Sequence, residues 1–435
     1  MPEQGTDIRS WEEGVLNCLQ WEEYFHMSVE TVVILGAGQA GAWAARTLRS
    51  EGFSGRVILI GAEAALPYER PPLSKEQLQR TPPAMQYLLS TAELGSLDIE
   101  WRRSSQCVRI DRTSRNVVLT SGEAIAYDKL VLCTGGRARL PAIPGINASC
   151  VHTLRTIEDA ERLRLTLNDG ARVLVMGGGW IGLEAAAAAC AAGCSVTLVE
   201  TGPLLCTRTG SPMLSDFLAK LHRSNGVELR FGESVVALEH STATSSRAVY
   251  ADRTIQDVDI VVVGIGLEQN DALARAAGLE CDRGILVDQQ CRTSDRSIFA
   301  AGDVAAIRSP SGEVLRLESW QNAQDQGIAA ARALLGHDID YQPVPVFWSQ
   351  QYEVLVQIAG ACVQGTNTVT RGAEGGKLIA VELTDDGRIA SAICANSPRD
   401  FRHLRNFIAE GVCVDVARLA DASVPITAAI ASRAS

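Results

Sequence analysis

The chain has 435 residues, 46% of them hydrophobic and 21% charged, which suits a globular enzyme of two or three domains better than a single core. Its formal net charge of −11 opposes nucleic acid and anionic membranes as partners. No stretch reads as a membrane-crossing helix, being neither long nor apolar enough.

The N-terminal run MPEQGTDIRSWEEGVLNCLQWEEYFHM is acidic and lacks the basic and apolar regions of a signal peptide. Residues 1–29 are read as an extension without an assigned role, with Met27 as an alternative start, and the chain as cytoplasmic. The 12 cysteines form no C-x-x-C pair. Cys190 and Cys194 share an alanine-rich run and the others are scattered, as small buried hydrophobes of a reducing compartment would be. No metal site is expected.

TVVILGAGQAG (31–41) is an apolar strand followed by a glycine turn, with helical spacing after it and a second apolar run at RVILIG (56–61). The unit carries G-x-G-x-x-G at Gly36, Gly38 and Gly41. These glycines allow the tight turn, the approach of backbone to a pyrophosphate, and close helix–strand packing. One such pattern is also compatible with an ordinary tight turn. It recurs, however, at RVLVMGGGWIGLEAAAAACAAGCSVTLVE (172–200), with Gly177, Gly179 and Gly182. Two copies in the same strand–turn–helix–strand setting predict two dinucleotide sites in an α/β protein. Glu200 closes the second unit, where a carboxylate accepts from an adenosine ribose and repels a 2′-phosphate, favouring NAD over NADP. Arg208 nearby keeps NADP open. Downstream, RSIFAAGDVA (296–305) ends a short strand in Gly-Asp ahead of a helical run. Asp303 there suits a ribityl hydroxyl, with an ordinary turn aspartate as the alternative.

These motifs, with LPYERPPLSK, YDKLVLCTGGRARLPAIPG, ESWQNA, FWSQQY and RDFRHLRNFI, resemble the FAD-dependent ferredoxin–NAD(+) reductases of aromatic-ring dioxygenase and cytochrome P450 chains, the putidaredoxin reductase and biphenyl dioxygenase reductase group. The resemblance implies two Rossmann-like, three-layer dinucleotide-binding domains of the glutathione-reductase type plus a C-terminal α+β interface domain. The implied boundaries are 30–145 with 267–336 for FAD, 146–266 for NAD, and 337–435 for the interface domain. It also implies FAD contacts at Ala40, Arg70, Val108, Arg155 and Trp320, and NAD contacts at Ile181, Arg208 and Gly266. Relatives often carry an acid at the position of Ala62 for the FAD adenosine ribose; here Glu63 is the neighbouring acid and takes that assignment. They often read Trp-Ser-Asp-Gln where this chain has Trp348-Ser349-Gln350-Gln351, which puts any role of an acid there in doubt.

Disulfide reductases of this superfamily place a redox cysteine pair after the first βαβ unit. This chain has no cysteine from 31 to 106 and carries Lys75 in that neighbourhood. The resemblance implies that Lys75 reaches the flavin N5 edge and pairs with Glu184, the catalytic pair, so that electrons leave the flavin directly. NADH would donate to FAD, and a [2Fe–2S] ferredoxin (or a rubredoxin) would carry electrons to a terminal oxygenase. Arg399, Arg402, His403 and Arg405 are a candidate docking patch on an otherwise acidic protein, and equally a plain solvated helix face. Alternatives of the same architecture are an NADH oxidase or other small-acceptor enzyme, and a signalling flavoprotein resembling apoptosis-inducing factor. Monomer and homodimer both remain open.

Overall fold

The computed structural model describes residues 30–240, 245–361, 367–371 and 377–431. The 1–29 extension, Cys18 and Cys362 lie outside the described residues.

The apolar runs ahead of the two glycine turns become the central strands of two five-stranded sheets. In the first, Thr31–Leu35 pairs in parallel with Arg56–Ile60 on one side and Lys129–Leu132 on the other, and Ile99–Arg102 and Ile298–Ala300 form the edges. In the second, Arg172–Met176 lies between Ser195–Glu200 and Ile260–Val263, with Glu228–Phe231 and Val151–His152 outside them. All pairings are parallel. The near-continuous apolar character of these strands follows from burial on both faces. In each sheet the strand order reverses beside the glycine-bearing strand, where an open α/β sheet binds its ligand.

The glycine turns are nearly superposable in what they demand. Gly36 and Gly177 have φ of +105° and +106°, and a Cβ on either would strike a backbone carbonyl of the neighbouring strand's exit loop, at 2.1 Å and 2.6 Å. A Cβ at Gly41 or Gly182 would fall 1.9 Å or 2.0 Å from the carbonyl oxygen of Gly36 or Gly177, so only glycine lets each helix lie this close to its strand. Gly38 differs: a Cβ there meets nothing within 4 Å, and at Gly179 the nearest atom is 3.7 Å away. Those middle glycines face open space at the N-termini of the Gln39–Ser50 and Trp180–Ala191 helices, neither of which has a side-chain cap. The free first-turn N–H groups there are suited to a phosphate.

The second sheet is built entirely from chain that leaves the first after Lys129–Leu132 and returns before Ile298–Ala300. Outgoing and returning segments pair with each other, Gly136–Ala138 against Leu267–Gln269 in an antiparallel ladder. The last sheet, Val346–Gln351 to Ile389–Ala395, is antiparallel, and its alternation separates two faces. Ile379, Val381, Ala392 and Cys394 pack under the Pro398–Glu410 helix. Val354, Val356, Ile358, Ala380 and Ile393 join one core with Leu183, Ala186 and Leu214 of the second-sheet unit. Phe347 stacks on Trp180 at 4.8 Å between ring centroids. Among the described residues no helix is long and apolar enough to cross a membrane.

The glycine geometry separates two substitutions. Gly41→Ala is expected to lower the melting temperature strongly, because its Cβ must displace backbone. Gly38→Ala is expected to leave the apoprotein melt within about 2 °C while reducing the flavin-to-protein absorbance ratio. A second expectation concerns pH. Burial lowers the values of His152 and His222 below the ordinary histidine 6.5, a hydrogen bond from His222 to the Gln351 amide oxygen partly opposing it. Both therefore take up a proton less readily in the folded chain, and the unfolded chain binds protons first as pH falls through 6.5. Stability should therefore be full above that pH and decline below it, and a melting temperature unchanged between pH 7.5 and about 5.5 would contradict this.

Candidate active site

Pro71 and Pro72 set the backbone of a short 3-10 turn, Pro71–Ser74, which delivers Ser74 and Lys75 to the Trp180–Ala191 helix. Glu184, one turn in from Gly179, meets them there. Lys75 Nζ donates to Glu184 Oε2 at 2.6 Å and to the Pro71 carbonyl at 3.0 Å. Ser74 Oγ donates to the same carboxylate oxygen, and Ser349 Oγ reaches Oε1 at 2.5 Å. Side-chain exposure is 13% for Lys75 and 4% for Glu184, so this ion pair is nearly out of solvent and depends on its hydrogen bonds. Lys75 Nζ also lies 5.3 Å from the Trp348 ring centroid, within cation–π range. Three units meet here: Ser74 and Lys75 from the first-sheet unit, Glu184 from the second-sheet unit, and Trp348 and Ser349 from the C-terminal sheet.

No thiol competes with the lysine. Burial raises Cys133 to about 12 beside the first glycine turn. Burial, and then the carboxylates of Glu184 and Glu200, push Cys206 well above its usual range. Every described cysteine whose value is displaced is pushed up, which makes each of these thiols a poor nucleophile. Among the described residues no group of three or more His, Cys, Asp or Glu is arranged to hold a metal ion.

Around the first glycine turn, Ala40 is buried against Gly302 and Gly327, whose Cβ atoms would fall 3.0 Å from its Cβ and 2.4 Å from its carbonyl oxygen. Only its backbone is left to face a ligand. Asp303 pairs with Arg155 at 3.0 Å, tying the Gly-Asp turn to the NAD-side unit. Glu63 does not stand open toward a ribose: Arg70 donates to it at 2.7 Å and Tyr68 at 2.5 Å. Burial raises the Tyr68 phenol, so it remains a donor. Arg70 donates as well to the Arg155 carbonyl, so its guanidinium joins Glu63 to the second-sheet unit. Val108 occupies a β-bulge between Cys107 and Arg109 and is half exposed, its backbone outside the regular ladder. Trp320 opens the Trp320–Leu334 helix, and its indole and that of Trp43 lie 3.2 Å from the Gln39 amide oxygen in its satisfied orientation.

On the NAD side, Glu200 accepts from the Gly178 and Gly202 backbone amides, each at 2.8 Å, which orients its carboxylate beside the turn. Ile181 is 40% exposed in the first helical turn. Arg208 crosses toward the FAD side, where it pairs with Glu318; a Cβ on Gly266 would sit 3.3 Å from its guanidinium. Burial raises Glu318, but hydrogen bonds from Arg316 and Arg208 outweigh it and hold the carboxyl low. Arg208 is thus paired with an acid while 65% of its side chain stays exposed.

The sequence reading anticipated the Lys75–Glu184 encounter through resemblance alone. It missed Ser74, Trp348 and Ser349. The signal was present in FWSQQY, where Ser349 and Gln351 occupy the buried face of an alternating strand and Gln350 is exposed on the other. The glutamine standing where relatives often have an acid therefore points away from the pair. Arg399, Arg402, His403 and Arg405 are all exposed on the Pro398–Glu410 helix. Burial raises Asp325 on the neighbouring helix, with Gln321 and then Arg405 pulling it back.

The residues present fit a flavin and a nicotinamide nucleotide: two glycine cradles open to space, two uncapped helix ends, and a buried cation beside an indole. Comparison with known proteins agrees. The family model described as pyridine nucleotide-disulphide oxidoreductase matches residues 30–327, and that described as reductase C-terminal matches 346–430. The anthranilate 1,2-dioxygenase system ferredoxin–NAD(+) reductase component of Burkholderia cepacia is 40% identical over 402 residues, 92% of this chain and 98% of that one. Terpredoxin reductase of a Pseudomonas species is 38% identical over 406 residues, with the same coverage. The covalent putidaredoxin reductase–putidaredoxin complex superposes with a TM-score of 0.86 at 35% identity, covering 92% of this chain and 97% of that one. With two glycine turns of one geometry, an inserted second sheet and matches across nearly the whole described length, the chain belongs to the pyridine nucleotide-disulphide oxidoreductase family and carries that family's reductase-type C-terminal domain.

Proposed function

We propose that this chain is a ferredoxin–NAD(+) reductase that passes electrons from NADH through FAD to a [2Fe–2S] ferredoxin, which supplies a terminal oxygenase. The reaction balances as NADH plus two oxidised ferredoxins giving NAD+, a proton and two reduced ferredoxins. Bound FAD supplies the conversion from a two-electron donor to a one-electron acceptor. The observation that carries this reading is the buried Lys75–Glu184 pair, whose lysine lies in a stretch, 31–106, that holds no cysteine.

The chain's own residues divide the work. The Gly36–Gly41 turn and the Gln39–Ser50 helix end would hold the FAD pyrophosphate, and Asp303 its ribityl chain. The second turn would hold NADH, with Glu200 on the adenosine ribose. Lys75 would place a cation at the flavin edge that receives hydride, oriented by Glu184. The domain limits that fit this assignment are 30–145 with 267–336, 146–266, and 337–435. Free, mostly buried cysteines favour a cytoplasmic setting. The exposed arginines of the Pro398–Glu410 helix offer an acidic ferredoxin a local cationic surface.

The test is cytochrome c reduction by the yellow holoenzyme with NADH, with and without a [2Fe–2S] ferredoxin. A large ferredoxin-dependent increase is expected, and NADPH should be poorer by a factor on the order of ten or more, given the like charge of Glu200. Replacing Arg399, Arg402 and Arg405 by Gln should flatten the salt dependence of ferredoxin reduction and leave flavin reduction by NADH unchanged. Rapid flavin reduction without any ferredoxin effect would point to a small-molecule acceptor. Slow flavin reduction by either nucleotide would point to a signalling role.

A further inference from the structure

The Lys75–Glu184 pair is the end of a longer buried chain. Ser349 donates to Glu184 Oε1 at 2.5 Å, and Gln351 Nε2 donates to Ser349 Oγ at 3.1 Å. Gln351 Oε1 lies 2.8 Å from His222 Nε2, and Tyr352 OH lies 3.2 Å from His222 Nδ1. Ser349, Gln351 and His222 are each no more than 1% exposed. A carboxylate can only accept, which fixes the direction of every bond behind it. The Ser349 hydroxyl spends its proton on Glu184 and accepts from the Gln351 amide. The Gln351 oxygen then requires a proton on His222 Nε2, and Nδ1 accepts from Tyr352. All four donors point the same way, toward Glu184. The amide in the middle makes this a chain of aligned dipoles rather than a path for protons.

We propose that Ser349, backed by Gln351 and His222, is a positioning residue that sets the Glu184 carboxylate against Lys75, so that the C-terminal sheet completes the hydride-receiving site. An apolar residue at 349 would fill the same space but would leave Oε1 without its donor, and the carboxylate, held only through Oε2 by Lys75 and Ser74, would lose its fixed orientation against the amine. Trp348 precedes Ser349 on the same strand and lies against Lys75 from another side. The strand therefore holds the lysine twice, directly through the indole and indirectly through the carboxylate. This rests on the reading of Lys75 and Glu184 as the pair at the flavin, but the chemical readout below does not depend on turnover.

The experiment compares wild-type holoenzyme with Ser349→Ala, Ser349→Thr and Ser349→Cys. Lysine acetylation by acetic anhydride is followed by peptide mass spectrometry, with exposed Lys220 as the internal standard. Flavin reduction by NADH is followed by rapid mixing. Loss of one hydrogen bond to a charged group predicts that Ser349→Ala raises the Lys75-to-Lys220 acetylation ratio about tenfold and lowers the limiting reduction rate about tenfold. The apparent NADH affinity should stay unchanged. Ser349→Thr should restore both readouts, and Ser349→Cys, a weaker donor of similar size, should fall between and serves if the alanine variant does not fold. An unchanged acetylation ratio in the alanine or cysteine variant would overturn the proposal, as would failure of threonine to restore it. A changed ratio with an unchanged reduction rate would support the positioning of Lys75 by Ser349 and count against the role of Lys75 at the flavin.

Discussion

The molecule is organised around one ion pair that must be kept away from water. Lys75 and Glu184 belong to different nucleotide-binding units, and their charges are compensated only where those units and the C-terminal sheet come together. Removing either partner would strand a buried charge at a cost of about 3–5 kcal/mol. The arrangement of the three units is therefore coupled to the chemistry of the site. Two short serine hydrogen bonds, the Pro71 carbonyl and the Trp348 ring complete the enclosure. A lysine so held has a single orientation, which a catalytic cation needs if it is to act without reorganising.

In the function proposed, the rest of the fold serves to bring two ligand sites to this point. The two glycine turns repeat the same steric requirements, with helices pressed onto strands and middle glycines facing open space. One unit is inserted into the other, and the ladder between Gly136–Ala138 and Leu267–Gln269 fixes the two crossings side by side. Across the gap, Arg155 reaches Asp303 and Arg208 reaches Glu318, so the inserted unit places two cations on acids of the other. The C-terminal sheet then buries its apolar face against the Trp180–Ala191 helix, which carries Glu184.

Much of this was legible in the sequence. The strand–turn–helix–strand periodicity located both parallel sheets, because glycine is required where a side chain would strike backbone and because doubly buried strands are continuously apolar. In VPVFWSQQYEVLVQIAG apolar and polar residues alternate, and the structure makes these residues the first two strands of the antiparallel sheet. What stayed hidden were side-chain pairings between segments far apart in the chain. Glu63 follows a nucleotide-binding strand like a ribose ligand, yet it turns to Arg70 and Tyr68 of its own loop. Arg208 had suggested a phosphate contact, and its partner Glu318 lies 110 residues away. Ser349 is an ordinary serine in the sequence, and its meaning comes only from the carboxylate it meets. Periodicity reports which face is buried, not which polar groups meet across it.

The central claim is that the Lys75–Glu184 pair governs arrival of hydride at the flavin. It is tested most directly by rapid-mixing measurement of flavin reduction by NADH in Lys75→Met, Glu184→Gln and the double variant. The account predicts that Lys75→Met retains FAD and that its limiting reduction rate falls on the order of 100-fold, as for loss of one preorganised charge-stabilising group. It also predicts that the double variant is little worse than the single ones, because both substitutions break the same interaction. Wild-type reduction kinetics in flavin-loaded Lys75→Met, or fully additive losses in the double variant, would contradict it.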